Sequence, residues 1–149
     1  MIDAPIEDVF PFFAEAANLQ QLTPPWLSFQ IRTPQPITIR EGTRIEYRIG
    51  LHGIPMSWLT EISAFNPPEM FVDQQLRGPY RTWIHTHQFL PERGGTLLVD
   101  HVEFDMLGGW LVAPFVKRDI RRIFTYRHQA LLAHFKQPTP WAEPNITFG

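Results

Sequence analysis

The chain has 149 residues, with 44% hydrophobic side chains, 19% charged side chains and a formal net charge of −2, a composition typical of one globular domain rather than a disordered or fibrous chain. It contains no cysteine, no signal-peptide pattern at the N-terminus and no apolar run near the roughly 20 residues of a membrane span. We therefore expect a single cytoplasmic domain, and the charge balance gives no reason to expect a nucleic acid partner.

The segment from residue 4 to residue 26 predicts two short helices. Pro5 stands where a first helical turn tolerates proline, whereas Pro11 should kink or divide the helix because it has no amide proton to donate. The second helix is expected to begin at Asn18.

Five segments after Pro36 alternate apolar and polar residues with the period of a β-strand. They are residues 43–51, 56–65, 69–76, 81–90 and 96–105. The connections between them are short, and short connections join antiparallel neighbours because a parallel crossover needs a dozen or more residues. The sequence therefore predicts an antiparallel meander.

The sequence from Trp110 to about Phe135 has the period of one long amphipathic helix. Its apolar stripe lies within about 60° of Ile120 on a helical wheel and contains Ala113, Val116, Ile123, Phe124, Leu131 and Phe135. This helix should cover one face of the sheet, which gives an α+β domain over residues 1–136. Residues 137–149 are proline-rich and are expected to form an irregular tail.

This order of elements resembles the START-like superfamily, whose helix-grip fold wraps a curved antiparallel sheet around a long C-terminal helix. The segments APIEDVFPFF, GTRIEYRI, FVDQQLRGPYRTWIHTHQF and GTLLVDHVEF resemble a bacterial ligand-binding subgroup related to polyketide cyclase/dehydrase and coenzyme Q-binding proteins. The resemblance covers roughly Ile2 to Phe135. Members of this fold usually begin with a strand, but only Met1 and Ile2 precede Asp3 here. Either the strand is missing from this chain or the start was placed late.

The resemblance implies binding or transport of a hydrophobic small molecule or lipid, without a cofactor, in a cavity between the sheet and the C-terminal helix. The superfamily shares a cavity but no common catalytic set, so two other functions stay open. One is a polyketide aromatase/cyclase-like enzyme of the cyclase or dehydratase type. The other is an interaction module whose cavity is filled by its own side chains.

His85, His87 and His101 have a spacing that a metal site on β-strands could use. If the two strands pair through the turn at residues 91–96, alternation places His85 and His87 on the inner face with Asp100, and His101 on the outer face. A zinc-type site needs three or four converging ligands, and the alternation supplies only His85, His87 and Asp100. Because the histidines divide between two faces and the chain has no thiol, we predict no metal. His87 and Asp100 are instead predicted to pair across the strands. They would be a hydrogen-bonded part of the cavity wall or, in the enzyme alternative, the catalytic acid/base pair.

Arg127 lies about 20° from Ile120, near the middle of the apolar stripe of the long helix. Burying a guanidinium without a partner costs on the order of several kcal/mol. Arg127 should therefore meet a carboxylate, backbone carbonyls or an acidic group of a ligand, unless it extends past its neighbours to solvent. The available carboxylates on the strands are Asp100 and Asp73, and alternation assigns a face only to Asp100. We predict that it points into the cavity and forms its polar end with His87 and Asp100.

The outer face of the same helix is basic, because Arg118, Arg121 and Arg122 point away from the sheet in the predicted phase. Such a run is ordinarily a solvated helix face. The functional alternative is a transient contact with an anionic membrane surface, which would suit a domain that collects an apolar ligand from a bilayer.

The predicted ligand-binding site combines an apolar lining with a few polar groups that orient a ligand. The apolar residues are Trp58, Trp83, Phe89, Phe104 and Phe124. The polar residues are His85, His87, Asp100 and Arg127.

Overall fold

Two short helices precede the sheet in the computed structural model, which describes residues 1–137 and 146–148. Helix α1 spans Ile6–Phe13, and helix α2 spans Leu19–Leu22 with Asn18 as its N-cap. Pro11 does not divide α1, contrary to one of the two outcomes expected from sequence. A proline there removes one backbone hydrogen bond, and α1 offsets this loss by burying its apolar side chains, which are Ile6, Val9, Phe10, Phe12 and Phe13.

The sheet has six antiparallel strands, and their order in the sheet follows their order in the chain. The strands are β1 (Gln30–Ile31), β2 (Arg44–Leu51), β3 (Ile54–Asn66), β4 (Met70–Arg77), β5 (Thr82–Glu92) and β6 (Gly95–Asp105). The predicted meander is confirmed, because its five segments correspond to β2 to β6. The register also places His87 opposite Asp100, as alternation predicts.

Near the N-terminus, Ile2 forms an isolated antiparallel β-bridge with Thr96 of β6. The amide of Ile2 donates to the Thr96 carbonyl at 2.8 Å, and the Thr96 amide donates to the Ile2 carbonyl at 2.7 Å. Gly95 permits this approach, since a Cβ there would lie 2.5 Å from the Ile2 carbonyl oxygen. One backbone pair therefore occupies the place where the resemblance predicts a strand.

The C-terminal helix α3 spans Ala113–His134 and buries Val116, Ile120, Leu131 and Leu132. Its predicted outer residues Arg118, Arg121 and Arg122 are exposed. None of the described helices is long and apolar enough to cross a bilayer. The predicted tail falls mostly outside the described residues.

The core lies between α1, the sheet and the C-terminal part of α3. Its centre is a group of phenylalanines in which Phe10 and Phe13 of α1 each contact Phe89 of β5, with ring centroids 5.1 Å apart in both pairs. Such edge-to-face contacts add to the hydrophobic free energy of burial. The core thereby fixes α1 against β5 and leaves the rest of the inner sheet face to line a cavity.

Candidate functional site

A cavity of about 510 Å³ lies between the inner face of the sheet and α3. Its walls are mainly apolar and include Ile45, Ile49, Trp58, Trp83, Ile120 and Phe124. A volume between about 300 and 1,000 Å³ is typical of small-molecule sites. The cavity is therefore large enough to hold a ligand.

Six of the nine predicted ligand-binding residues line this cavity, and they are Trp58, Trp83, His85, His87, Phe124 and Arg127. Phe89 lies elsewhere: it is 1% exposed and belongs to the core under α1. The Phe104 ring lies 6.1 Å from the Tyr80 ring, near the end of β6. Alternation assigns each side chain to a face, but it does not say where along the strand the core ends and the cavity begins.

Asp100 faces a second recess of about 620 Å³, between β6 and α3. Its side chain keeps 25% of its surface exposed. The same recess is lined by Arg127, so Arg127 lies between the two spaces. Asp100 thus sits behind the histidines rather than in the wall of the main cavity.

The two inner histidines lie side by side, with ring centroids 3.7 Å apart, and each is 5% exposed. One oxygen of Asp100 approaches both rings from the side of β6. Asp100 Oδ1 is 2.7 Å from His85 Nε2, where a hydrogen bond forms, and 3.2 Å from His87 Nδ1. The predicted His87–Asp100 pair is therefore part of a larger cluster, in which the shorter contact of Asp100 is with His85.

Asp73 of β4 completes the cluster from the other side. His87 Nε2 donates to Asp73 Oδ2 at 2.6 Å, and His85 Nδ1 lies 3.6 Å from the same oxygen. The sequence names Asp73 only as a possible partner of Arg127, and the predicted site does not include it. The alternation of β4 contains the signal, since Phe71 and Asp73 are two residues apart and Phe71 is a buried core residue.

Arg127 extends from α3 towards this cluster, and its Nη2 lies 3.5 Å from His87 Nδ1. The guanidinium carbon also stands 5.2 Å from the centre of the Phe13 ring and 5.8 Å from that of Phe124. Within the described part of the chain, the buried Arg127 Nε has no hydrogen-bond partner. Arg127 therefore has donor capacity left for a ligand.

Mutual contacts outweigh burial in setting the pKa values of Asp73, Asp100 and His87, whereas burial prevails at His85. Burial opposes ionisation of both carboxylates, but hydrogen bonds from the histidines hold the pKa of Asp100 well below its usual value and lower that of Asp73. Burial also opposes protonation of His87, yet its bonds to the two carboxylates raise its pKa. Burial and the charge of His87 lower the pKa of His85. An imidazolium at His87 and the Arg127 guanidinium then balance the two carboxylates.

This arrangement presents two kinds of chemistry to the cavity. An imidazole that is oriented by a carboxylate can donate a proton to a bound molecule or accept a proton from it. The same side chains also offer a set of metal donors, since one ligand atom each from Asp73, His85 and His87 lies within 4.8 Å of the others.

A curved antiparallel sheet that grips a long C-terminal helix around a cavity defines a START-like, helix-grip protein. A family described as "Polyketide cyclase / dehydrase and lipid transport" matches residues 2–125, and the chain belongs to this family. Among curated proteins, no match is found.

Solved structures with the same fold come from bacteria and plants. Protein Ms6760 from Mycobacterium smegmatis is 17% identical over 91% of this chain and 86% of its own, with a TM-score of 0.65. Protein CV1439 from Chromobacterium violaceum is 15% identical over 93% and 94%, with a TM-score of 0.69. The major latex-like protein 151 from Panax ginseng is 13% identical over 90% and 91%, with a TM-score of 0.65. Identities this low establish a shared fold and nothing further.

Proposed function

We propose that the domain binds one hydrophobic small molecule, such as a lipid, in the cavity between the sheet and α3. The observation that carries this proposal is a mainly apolar cavity of about 510 Å³. Part of its lining is formed by Asp73, His85, His87 and Arg127, which we call the polar wall. Pockets that bind small molecules combine a mostly apolar lining with a few polar groups that fix orientation. The family description, which includes lipid transport, is consistent with this function.

The polar wall favours a ligand that carries an oxygen acceptor at one end. Arg127 gives this wall a free hydrogen-bond donor, because its Nε has no partner in the described residues. The ring nitrogens of His85 and His87 instead face Asp73 and Asp100. A buried donor without an acceptor costs about 1–3 kcal/mol. A carbonyl or carboxylate oxygen placed beside Arg127 would recover that free energy, so the ligand should be apolar along its length and oxygenated at the end.

The cavity argues against the interaction module as the main function, because that alternative requires the space to be filled by the protein's own side chains. A binding assay with a fluorescent fatty acid distinguishes the two. We expect wild-type protein to bind it and Ile49→Trp, which places an indole in the cavity wall, to bind it at least about 10-fold more weakly. Leu90→Trp is the matched control, since Leu90 is 46% exposed on β5. Equal binding by all three proteins would contradict the proposal.

An acid/base enzyme of the cyclase or dehydratase type is the second candidate. It is favoured by the 2.6 Å contact between His87 Nε2 and Asp73, which places a carboxylate-held imidazole in the cavity wall. Asp73 then replaces Asp100 as the direct partner of His87 in this alternative. The test is to incubate the extracted ligand with fresh protein and look for loss of water by mass spectrometry. Loss with wild type and none with His87→Gln would establish this enzyme function.

A transient contact with an anionic membrane is supported by the segment that leads into α3, residues 106–115, which we call the cavity mouth because Met106, Val112 and Phe115 line the cavity. Four large apolar side chains of this segment are exposed, namely Leu107 (70%), Trp110 (82%), Leu111 (61%) and Phe115 (69%). Phe115 also lines the cavity, and Lys117 and Arg118 follow it on α3. Apolar side chains beside basic ones suit a surface of anionic lipid. The ligand would then enter and leave at this end.

A further inference from the structure

The nitrogen atoms of His85 and His87 that do not face Asp100 both turn towards one oxygen of Asp73. His85 Nδ1 lies 3.6 Å from Asp73 Oδ2, and His87 Nε2 lies 2.6 Å from it. Ligand atoms of a tetrahedral zinc ion lie roughly 3.3–3.5 Å from one another, because each is about 2.0–2.2 Å from the metal. Small rotations of three side chains on paired strands would bring these atoms to such a spacing.

We propose that Asp73, His85 and His87 bind one divalent transition-metal ion that is open towards the cavity. Two imidazoles and one carboxylate form a donor set suited to zinc, iron(II), cobalt(II) or manganese(II), and less suited to calcium or magnesium. Three protein ligands leave a position for water or for an oxygen of a bound molecule. This site goes beyond the proposed binding of an apolar ligand and does not depend on it.

Asp100 supplies the second observation that points to a metal. Its Oδ1 lies 2.7 Å from His85 Nε2 and 3.2 Å from His87 Nδ1, the two ring nitrogens opposite those that face Asp73. A metal ion would displace the proton that His87 Nε2 donates to Asp73 in the metal-free protein. With the remaining proton of each ring on its outer nitrogen, the inner nitrogens are lone-pair donors. Carboxylates that hold the outer nitrogen of a metal-binding histidine are a regular feature of metal sites. One aspartate therefore orients both histidines.

Charge and access also suit a cation at this position. Once a metal ion has displaced the extra proton of His87, both imidazoles are neutral, and the two carboxylates and the Arg127 guanidinium give the ligand cluster a formal charge of −1. Each histidine is 5% exposed, and both line the cavity together with Asp73. A bound ion would therefore be shielded from bulk water and reachable from the cavity.

The prediction of no metal depended on a cluster limited to His85, His87 and Asp100. The structure changes that premise, because Asp73 is the third converging donor and Asp100 takes the orienting position. As predicted, His101 lies on the opposite face of the sheet from His85 and His87. It is not one of the three proposed metal ligands.

The test is a titration of chelator-treated full-length protein with Zn²⁺ and, separately, with Co²⁺, followed by calorimetry and elemental analysis. We expect one equivalent per chain and a visible Co²⁺ spectrum typical of nitrogen and oxygen ligands. Asp73→Asn and His87→Gln should each weaken binding at least about 100-fold, and Asp100→Asn about 10- to 100-fold.

The matched control is His101→Gln with Glu103→Gln, an exposed histidine–carboxylate pair 3.6 Å apart on β6, which should leave binding unchanged. If the control variant lost metal binding and the site variants kept it, the ion would lie on the surface and the proposal would be overturned. Absence of metal binding to the wild-type protein would also overturn it.

Nitrogen NMR of the wild-type protein during a Zn²⁺ titration tests the same site without variants, and so remains informative if a site variant does not fold. The chain has six histidines, and nitrogen NMR resolves the two ring atoms of each. Zn²⁺ should shift the inner nitrogens of His85 and His87 at one equivalent while the other four histidines stay unchanged. Shifts confined to His52, His101, His128 or His134 would contradict the site. The fatty acid assay tests ligand binding independently of the metal site, because it is run with a chelator that removes any metal ion.

Discussion

Asp73 accepts a hydrogen bond from His87 at 2.6 Å, although the residue directly opposite Asp73 in the sheet is His85. The contact is therefore diagonal, and the same carboxylate oxygen stays 3.6 Å from the nearer ring nitrogen of His85. Asp100 contacts the same two rings from β6. Three neighbouring strands are thus connected through a pair of histidines, in the wall that a cavity ligand would touch.

Replacing Asp73 by Asn should destabilise the metal-free protein by about 1–3 kcal/mol, because a buried imidazolium loses a charged hydrogen-bond partner. Chemical denaturation with a chelator present measures this change in the free energy of unfolding. Glu61→Gln is the control, since Glu61 pairs with the exposed Arg44 at 2.9 Å and should cost less than about 1 kcal/mol. Equal losses in the two variants would show that the cluster contributes no more than a surface ion pair.

Arg127 and Asp100 should be energetically coupled. Arg127 lowers the pKa of Asp100 by its charge, and its Nη2 lies 3.5 Å from the histidine that Asp100 also contacts. In a double-mutant cycle, Arg127→Met and Asp100→Asn together should cost about 0.5–1.5 kcal/mol less than the sum of the single changes. The coupling stays below that of a dry ion pair because the Asp100 side chain is 25% exposed. Additive losses would mean that the two residues do not share one polar site.

The parts of this site that the sequence predicts are those fixed by alternation and by a tight turn. His87 faces Asp100 because the β5–β6 turn sets the register, and Arg127 reaches the cluster because helical phase places it in the apolar stripe. Asp73 was left out of the predicted site because its face was not assigned, and β4 pairs irregularly with β3, where the register shifts twice. Phe89 was assigned to the right face, but only the packing of α1 shows that this part of the face is core.

High pH should destabilise the protein through Tyr80. Burial, and secondarily the charge of Asp119, raises the pKa of Tyr80 to about 12. The unfolded chain ionises its tyrosines near about pH 10, so the contribution of Tyr80 to stability is present below that pH and is lost as pH rises towards 12. Between pH 9 and 11, wild type should lose about 1 kcal/mol more of its unfolding free energy than Tyr80→Phe. Parallel pH profiles for the two proteins would contradict the assignment.

Neutralising the outer basic residues should separate membrane contact from folding. The triple variant Arg118→Gln, Arg121→Gln, Arg122→Gln should change the free energy of unfolding by less than about 1 kcal/mol, since exposed charges contribute little. Sedimentation with vesicles of anionic lipid should show weaker binding than wild type, and the difference should shrink as salt screens the charges. Unfolding of the variant would mean that this helix face is not a solvated one.

Trp110 should anchor any membrane contact through apolar insertion rather than charge. It is 82% exposed, so Trp110→Ser should leave stability unchanged while reducing vesicle binding at both low and high salt. Leu90→Ser, which replaces a 46% exposed apolar residue on β5, is the control and should bind vesicles like wild type. Equal vesicle binding by Trp110→Ser and wild type would show that the cavity mouth does not contact the membrane.

Native mass spectrometry after incubation with a total lipid extract, followed by extraction and identification of what is bound, tests the central claim most directly. We predict that the wild-type chain retains one small apolar molecule with an oxygenated end, and that Ile49→Trp retains it at a small fraction of the wild-type level. A wild-type spectrum that shows only the free chain, or identical adducts on wild type and Ile49→Trp, would contradict ligand binding in this cavity.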